Sequence, residues 1–226
     1  MKEDSPRSEL FEDRREVGRR LAEKLLPYRA DRPVVLGVPR GGIPVAYQVA
    51  QRLGAPLDVL VVRKVGAPRN PEYGLGAVAE GGIRLLDEPR IREAGYSLSE
   101  LEPYVTAELQ QVERRLRAFR GSRPRADLRD RTVIIVDDGV ATGGTMRAAI
   151  QAVRAQNPRR LVLALGVCPE ETYRRLKREV DDLVVLLTPR NFYAVGQFYR
   201  HFEPVEDEEV QRLLGQAPAE VSAVSA

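Results

Sequence analysis

VIIVDDGVATGGTM, residues 133–146, is the stretch of sequence that decides the fold and the candidate site. Its four leading apolar residues, 133–136, predict a buried strand. Asp137 and Asp138 follow at the end of that strand, and a glycine- and threonine-rich turn then opens a helix. Adjacent carboxylates are costly to hold together unless a cation, hydroxyls or backbone donors satisfy them. A glycine-rich turn at a helix N-terminus exposes backbone N–H groups to an anion. The segment therefore predicts a ligand with vicinal hydroxyls at one end and a phosphate at the other.

Other interpretations of this segment fit its residues less well. If the segment were a plain strand-to-helix turn, the two aspartates at the end of the buried strand would have no structural role. A nucleotide-binding P-loop has two glycines at the spacing of Gly139 and Gly144, but Thr145 stands where its lysine must be. A phosphatase-type Asp-x-Asp pair does not fit, because Asp137 and Asp138 are adjacent.

Apolar runs and helical patterns alternate along the rest of the chain. Buried strands are predicted within the ranges 33–38, 56–65, 131–138, 159–168 and 181–189. With the helical patterns between them, they predict one α/β domain over residues 1–226. Its core is an open parallel five-stranded sheet with helices on both faces. Ligands bind such sheets beyond the carboxyl ends of the strands, so the candidate loops follow Val38, Val62, Val136 and Leu187.

Other segments frame this core. Residues 8–26 predict an N-terminal helix with Ser8 as its cap. Residues 65–82 are rich in glycine and proline and predict a flexible loop that closes over the site. Residues 188–212 are dense in aromatic side chains and predict a small hood, which we call the hood throughout. Residues 215–226 predict a frayed tail.

The segment 133–146 resembles the signature of type I phosphoribosyltransferases: an apolar strand, two acids, two mostly apolar residues and a Thr-Gly-Gly-Thr-like loop. The resemblance implies that Asp137 and Asp138 bind the ribose hydroxyls of phosphoribosyl pyrophosphate. It also implies that the following loop holds the 5′-phosphate. The residues of that loop are Val140, Ala141, Thr142, Gly143, Gly144 and Thr145.

The same resemblance assigns roles to the other loops. Arg40, Gly41 and Gly42 would bind pyrophosphate, in part through backbone N–H groups exposed by an unusual peptide. Arg63 and Lys64 would be basic catalytic residues that contact pyrophosphate. Mg²⁺ would bridge pyrophosphate and ribose oxygens, and Asp137 and Asp138 would hold it mostly indirectly, through the substrate.

The acceptor is expected to be a nitrogenous base under the hood, with Phe192 or Tyr193 stacking on it. Relatives specific for oxopurines carry an aspartate at the position of Ala141, so a hypoxanthine or guanine acceptor is disfavoured. The hood and the segment VPRGGIPVA also resemble a bacterial group in which the domain is sometimes fused to a hydrolase. The sequence has no Gly-x-Ser-x-Gly elbow, so no hydrolase is expected in it.

Composition and charge narrow the classes of protein. The 36 basic and 33 acidic residues nearly cancel, so nucleic-acid binding is not expected. The sequence has one cysteine, Cys168, and one histidine, His201, so a metal site built from Cys and His ligands is not expected. No apolar run is long enough to span a membrane, and the charged N-terminus shows no leader, so we expect a cytoplasmic protein. As a separate expectation, the protein forms a homodimer.

Two alternatives remain open at this stage. Some members of this fold only bind nucleotides or phosphoribosyl pyrophosphate and regulate other processes. An RNA-binding regulator is a further possibility, and it would require a coherent basic face, for example on the arginine-rich helix predicted over Leu101–Arg120.

Overall fold

Strands and helices alternate along the chain much as the apolar runs predict. The computed structural model describes residues 10–218. The helices are α1 (Arg14–Leu25), α2 (Gly42–Leu53), α3 (Glu88–Glu93), α4 (Leu98–Arg120), α5 (Gly144–Arg154), α6 (Glu170–Leu176) and α7 (Asp207–Gln216). The strands are β1 (Val34–Gly37), β2 (Leu57–Val59), β3 (Val62–Ala67), β4 (Asn70–Ala79), β5 (Ile83–Leu86), β6 (Thr132–Gly139), β7 (Arg160–Val167) and β8 (Asp182–Leu187). Short 3-10 turns span Leu26–Asp31, Glu80–Gly82 and Val195–Phe198.

The main sheet has five strands in the order β2-β1-β6-β7-β8, and all its neighbouring pairs are parallel. Its inner strands are buried along almost their whole length, because helices cover both faces. Ile134 and Val136 pack with residues of α1 and α2, whereas Ile135 packs with residues of α5 and α6. The predicted open five-stranded parallel sheet with helices on both faces is therefore confirmed.

The prediction of a loop at residues 65–82 is wrong. These residues belong mostly to a second, three-stranded antiparallel sheet in the order β3-β4-β5. Val65, Leu75 and Val78 are fully buried in the same cluster as the apolar face of α4. The glycines and Pro68 mask this alternating apolar pattern in the sequence. The predicted strand 56–65 likewise divides into β2 in the main sheet and β3 in the small one.

A buried charged cluster joins the small sheet to the main one. Arg120, at the end of α4, donates from Nε to Asp58 Oδ1 of β2 at 2.9 Å. The same guanidinium contacts the carboxylate of Glu80, which follows β4. The second oxygen of Asp58 accepts from the backbone N–H of Ala126 at 3.0 Å. Three segments distant in the sequence are thereby held together.

The terminal segments differ in detail from their predictions. The helix predicted over 8–26 begins at Arg14, and Asp13 caps it by accepting from the Glu16 N–H at 2.8 Å. Ser8, the predicted cap, lies outside the described residues. The predicted frayed tail is wrong for residues 215–217, because α7 extends to Gln216 and Ala217 is buried. Residues 219–226 lie outside the described range.

Within residues 10–218, none of the helices combines the length and the apolar character that crossing a bilayer requires.

Candidate active site

Two candidate loops meet at the carboxyl edge of the main sheet. β1 and β6 are neighbours in register, with Gly37 opposite Val136. The loop after β1 therefore starts beside the acid pair that ends β6. The Val38 N–H donates to the Val136 carbonyl at 3.0 Å and holds the two loop origins together. The sequence places these residues about a hundred positions apart, and the parallel pairing brings them into contact.

Gly41 and Gly42 lie directly against the acid pair. A Cβ atom at Gly41 would stand 2.1 Å from Asp138 Oδ2, and one at Gly42 would stand 2.9 Å from Asp137 Oδ1. No side chain fits at either position, so glycine is required for this close approach. The peptide bond between Pro39 and Arg40 in the same loop is cis. The unusual peptide that the resemblance implies is thus present in this loop.

Asp138 is held by an arginine from the first helix. Arg14 Nε donates to Asp138 Oδ2 at 2.7 Å, and both side chains are about nine-tenths buried. The Arg14 guanidinium also lies 3.9 Å from the centre of the Phe202 ring and donates to the Glu203 carbonyl at 2.8 Å. Burial raises the pKa of the Asp138 carboxyl, and Arg14 opposes that rise. Arg14 thus connects α1, the hood and the acid pair.

Asp137 forms no ion pair within residues 10–218. Its Oδ1 accepts from the backbone N–H of Asp138 at 2.9 Å. Burial, and then the charge of Asp138, raise the pKa of Asp137 well above its ordinary value. An ionised Asp137 is therefore costly in this structure, and it would be stabilised by hydroxyl donors or a cation from a ligand.

Two carbonyls of the loop at residues 140–145 accept hydrogen bonds from side chains of α6. The Ala141 carbonyl accepts from the buried Thr172 hydroxyl at 2.8 Å, and the Thr142 carbonyl accepts from Arg175 at 3.3 Å. In a trans peptide the N–H points opposite to the C=O, so the N–H groups of Thr142 and Gly143 face away from α6. α5 begins at Gly144, and the first amides of a helix have no partner within it. The loop can therefore donate several N–H groups to an anion.

A cavity of about 390 Å³ lies beside this loop and brings predicted residues together. Its lining includes Pro39 of the first loop, Arg63 and Lys64 of β3, and Thr145 of the loop 140–145. Arg63 Nε donates to Glu108 of α4 at 2.7 Å. Lys64 donates to Glu72 Oε2 at 3.3 Å. Both predicted basic residues thus face the same space as the first loop.

Arg40 is placed differently from the other predicted residues. Its side chain is 44% exposed and points to the start of α7, where it pairs with Asp207 at 3.3 Å and Glu206 at 3.6 Å. In this arrangement the loop can offer its backbone to pyrophosphate, but the Arg40 guanidinium is directed elsewhere.

The hood and α6 line a second cavity, of about 540 Å³, beside the loop 140–145. Ala141 and Thr142 line one wall, and Phe192 and Tyr193 line another. Phe192 stacks on Phe198 with ring centres 5.6 Å apart, whereas Tyr193 is 90% exposed. Of the two predicted stacking residues, Tyr193 therefore has its ring free.

Gln197 shapes this part of the hood. Its Oε1 accepts from the backbone N–H groups of Tyr193 at 2.7 Å and Ala194 at 3.1 Å. Its Nε2 donates to the Asn191 carbonyl at 3.1 Å. One amide side chain therefore fixes the backbone that carries Tyr193.

The acid pair suits a magnesium ion held largely by substrate oxygens. Among residues 10–218, no group of three or more histidine, cysteine or carboxylate side chains could enclose a metal. Mg²⁺ is often bound by only one or two carboxylates, with phosphate and water oxygens completing its shell. Asp137 and Asp138 match that requirement, and an all-protein metal cage is not formed by the described part of the chain.

The sequence did not point to several of these residues. Arg14 and Gln197 act through contacts made only in the folded chain, and no local motif marks them. Tyr199 of the hood is buried and donates from its hydroxyl to the Asp138 carbonyl at 2.6 Å. Arg115 of α4 lines the cavity that holds Arg63 and Lys64, although no motif in the sequence connects it to this site.

A parallel sheet whose central strand ends in two acids and a glycine-rich loop is the arrangement that the resemblance to type I phosphoribosyltransferases implies, and comparison with known proteins agrees. The model of the phosphoribosyl transferase domain family matches residues 8–202. The chain belongs to this family.

Individual relatives are similar along nearly the whole chain. In two strains of Mycobacterium tuberculosis, CDC 1551 / Oshkosh and ATCC 25618 / H37Rv, the relatives are named "Putative phosphoribosyl transferase" MT0597 and Rv0571c. Each is 43% identical over 220 residues, which make up 96% of this chain and 50% of the relative. The chain thus spans about half the length of the curated relatives it matches. The crystal structure of TT1426 from Thermus thermophilus is 46% identical, with a TM-score of 0.82 over 91% of this chain and 97% of that one.

Proposed function

We propose that the protein transfers the 5-phosphoribosyl group of phosphoribosyl pyrophosphate to a nitrogenous base and releases pyrophosphate. The observation that carries this proposal is the meeting of three parts at one sheet edge: the loop 39–42, the acid pair and the loop 140–145. Each part suits one portion of the donor, namely pyrophosphate, ribose hydroxyls and 5′-phosphate. Membership of the family supports it.

The acid pair binds the ribose in this proposal. Asp137 has no ion pair within the described residues and accepts a hydroxyl donor most readily. Asp138 gives one oxygen to Arg14 and keeps Oδ1 for the ligand. The loop Val140–Thr145 holds the 5′-phosphate through its backbone N–H groups and the Thr142 and Thr145 hydroxyls.

The reaction is a displacement at C1 of the ribose. A lone pair of the acceptor nitrogen forms the new bond to C1 as the C1–O bond breaks, and the electron pair of that bond leaves with pyrophosphate. An acceptor N–H loses its proton to solvent or to pyrophosphate. Arg63 and Lys64 stabilise the negative charge that develops on the leaving group. Mg²⁺, which Asp137 and Asp138 would help to hold, would supply further neutralisation of that charge.

The acceptor base occupies the cavity under the hood. Ala141 offers it no carboxylate, so we favour an acceptor other than an oxopurine. Tyr193 stacks on its ring, and Phe192 supports the wall behind it through Phe198. Alignment of the two reactants is the main contribution of the protein to the rate.

The remaining expectations are part of the same proposal. We infer a cytoplasmic homodimer that acts on small molecules and does not bind nucleic acid. Sedimentation velocity at micromolar concentration tests the dimer, and a single species with the mass of one chain would contradict it.

Pyrophosphate release from phosphoribosyl pyrophosphate, measured with Mg²⁺ and a panel of nucleobases, tests the activity. We expect turnover with at least one base, and loss of turnover in Asp137→Asn. Tight donor binding without turnover on any base would favour the alternative, a regulator of the same fold that binds phosphoribosyl pyrophosphate. Absence of donor binding with and without Mg²⁺ would contradict both.

A further inference from the structure

Arg115 of α4 lines the cavity that holds Arg63 and Lys64, the two side chains that stabilise the leaving pyrophosphate in the proposed reaction. The lining of that cavity combines Pro39, Arg63, Lys64 and Thr145 with Arg115. α4 follows the small sheet in the chain and packs against it, and this packing brings the arginine to the site. The residue is exposed to solvent on the described surface.

The periodicity of α4 explains why Arg115 faces the cavity. Glu108, Val112 and Arg115 are separated by four and three residues, so they lie along one side of the helix. Val112 is fully buried, and Glu108 also lines the cavity. Arg115 therefore stands at the border between the buried face of α4 and solvent, where a long side chain reaches a bound anion.

Charge pairing distinguishes Arg115 from the other two cations. Arg63 is paired with Glu108 at 2.7 Å, and Lys64 with Glu72 at 3.3 Å. Arg115 forms no ion pair with any residue between 10 and 218. The cavity lining holds three cationic side chains and one carboxylate, so it has a net positive charge. The cation without a protein partner is the one most available to a ligand.

We propose that Arg115 is a pyrophosphate-binding residue that contacts the leaving group of phosphoribosyl pyrophosphate. This assignment rests on the proposed function. A guanidinium offers two parallel N–H donors to phosphate oxygens, and its charge is retained throughout the physiological pH range. Because negative charge on pyrophosphate grows as the C1–O bond breaks, Arg115 stabilises the leaving group more strongly than the bound substrate.

Calorimetric titration of the full chain with two separate probes tests the assignment without any acceptor base. The probes are inorganic pyrophosphate with Mg²⁺ and ribose 5-phosphate. In Arg115→Gln we expect pyrophosphate affinity to fall by roughly tenfold to a hundredfold, as loss of a charge-assisted hydrogen bond implies. Ribose 5-phosphate affinity should stay within about twofold, because no ribose contact is removed. Arg115→Lys should keep part of the pyrophosphate affinity, since it keeps the charge and loses the fork.

Arg114→Gln is the matched control. Arg114 is the neighbouring exposed arginine of the same helix and does not line the cavity. This substitution removes the same charge from the molecule, so equal losses of pyrophosphate affinity in the two variants would contradict a specific contact. Unchanged pyrophosphate affinity in Arg115→Gln would overturn the assignment of Arg115 alone. If the wild-type protein bound neither probe, the proposed function itself would fail.

Discussion

Arg14 and Asp138 are 124 positions apart in the chain, and they form a hydrogen-bonded ion pair at 2.7 Å. The pair lies beneath the loop that contains Gly41, and the same arginine contacts Phe202 of the hood. Arg14 therefore sets the position of Asp138. The sequence identifies this acid as a site residue but does not indicate which side chain holds it.

Replacing Arg14 with Gln should lower the free energy of unfolding at pH 7 by about 3 kcal/mol, because it leaves the Asp138 carboxylate buried without its partner. Urea unfolding measures this change. Arg15→Gln is the control, since Arg15 is exposed on the same helix. A double variant that also carries Asp138→Asn should recover part of the loss. If Arg14→Gln were as stable as the wild type, the ion pair would contribute nothing to the free energy of unfolding, and the prediction would be wrong.

Asp137 should make stability depend on pH. Burial and the neighbouring Asp138 raise the pKa of Asp137 in the folded state above its ordinary value of 3.8. Its contribution to stability is therefore fully present below about 3.8, and it is lost as the pH rises through the raised pKa. At pH 7, above the ordinary pKa of an aspartate, Asp137 consequently lowers the free energy of unfolding relative to its value in acid.

Asp137→Asn removes this dependence, so the variant should be more stable than the wild type at pH 7. The advantage should shrink as the pH falls towards the ordinary range of an aspartate, while ribose 5-phosphate affinity drops at all pH values. Urea unfolding between about pH 4.5 and about pH 7.5 measures the change in stability. Calorimetry measures the affinity for ribose 5-phosphate. An advantage that did not change with pH would show that the carboxyl does not titrate as stated.

At the scale of elements, the small sheet is the main departure from the sequence prediction. Glycine and proline within residues 65–82 are typical of loops, and the apolar positions between them are few. The strands form because Val65, Leu75 and Val78 find a buried surface on α4. That surface is about thirty residues later in the chain, and a local pattern does not reveal it.

Hydrogen exchange should therefore separate the strands from their turn. We expect slow exchange at the amides of β3 and β4 near Val65 and Val78, which pair with Gly76 and Arg63 across the sheet, and fast exchange at the Arg69 amide in the turn between the strands. Mass spectrometry of overlapping peptides resolves these segments. Uniformly rapid exchange over residues 65–79 would restore the interpretation of a flexible loop.

At the scale of the whole molecule, the cluster of Arg120, Asp58 and Glu80 holds the small sheet on the main one. The side chains of Arg120 and Asp58 are each only 9% exposed. Since the cavity around Arg63 and Lys64 lies between the two sheets, the cluster also maintains the geometry of the candidate site.

Arg120→Met should lower the free energy of unfolding by roughly 3–5 kcal/mol, because two carboxylates lose their buried partner. Thermal or urea unfolding checks the value. The same substitution at Arg117, an exposed arginine of the same helix, should change stability by less than about 0.5 kcal/mol. Equal effects at both positions would assign the loss to helix propensity and not to the cluster.

The sequence by itself determined the five parallel strands of the main sheet, the acid pair and the glycine-rich loop 140–145. Each depends on neighbours within a few positions: an apolar run predicts a buried strand, and Asp137 to Thr145 follow it directly. The resemblance to type I phosphoribosyltransferases rests on the same consecutive residues, and the family match agrees with it.

Only the tertiary structure decided the partner of Asp138, the direction of Arg40, the strands within residues 65–82 and the position of Arg115. These features depend on burial and on pairings between distant segments, whose free energy is set by which surfaces meet once the sheets and helices pack. The segment 133–146 specifies what kind of ligand the site suits. Packing of α1, α4 and the hood around it specifies which side chains hold that site in shape.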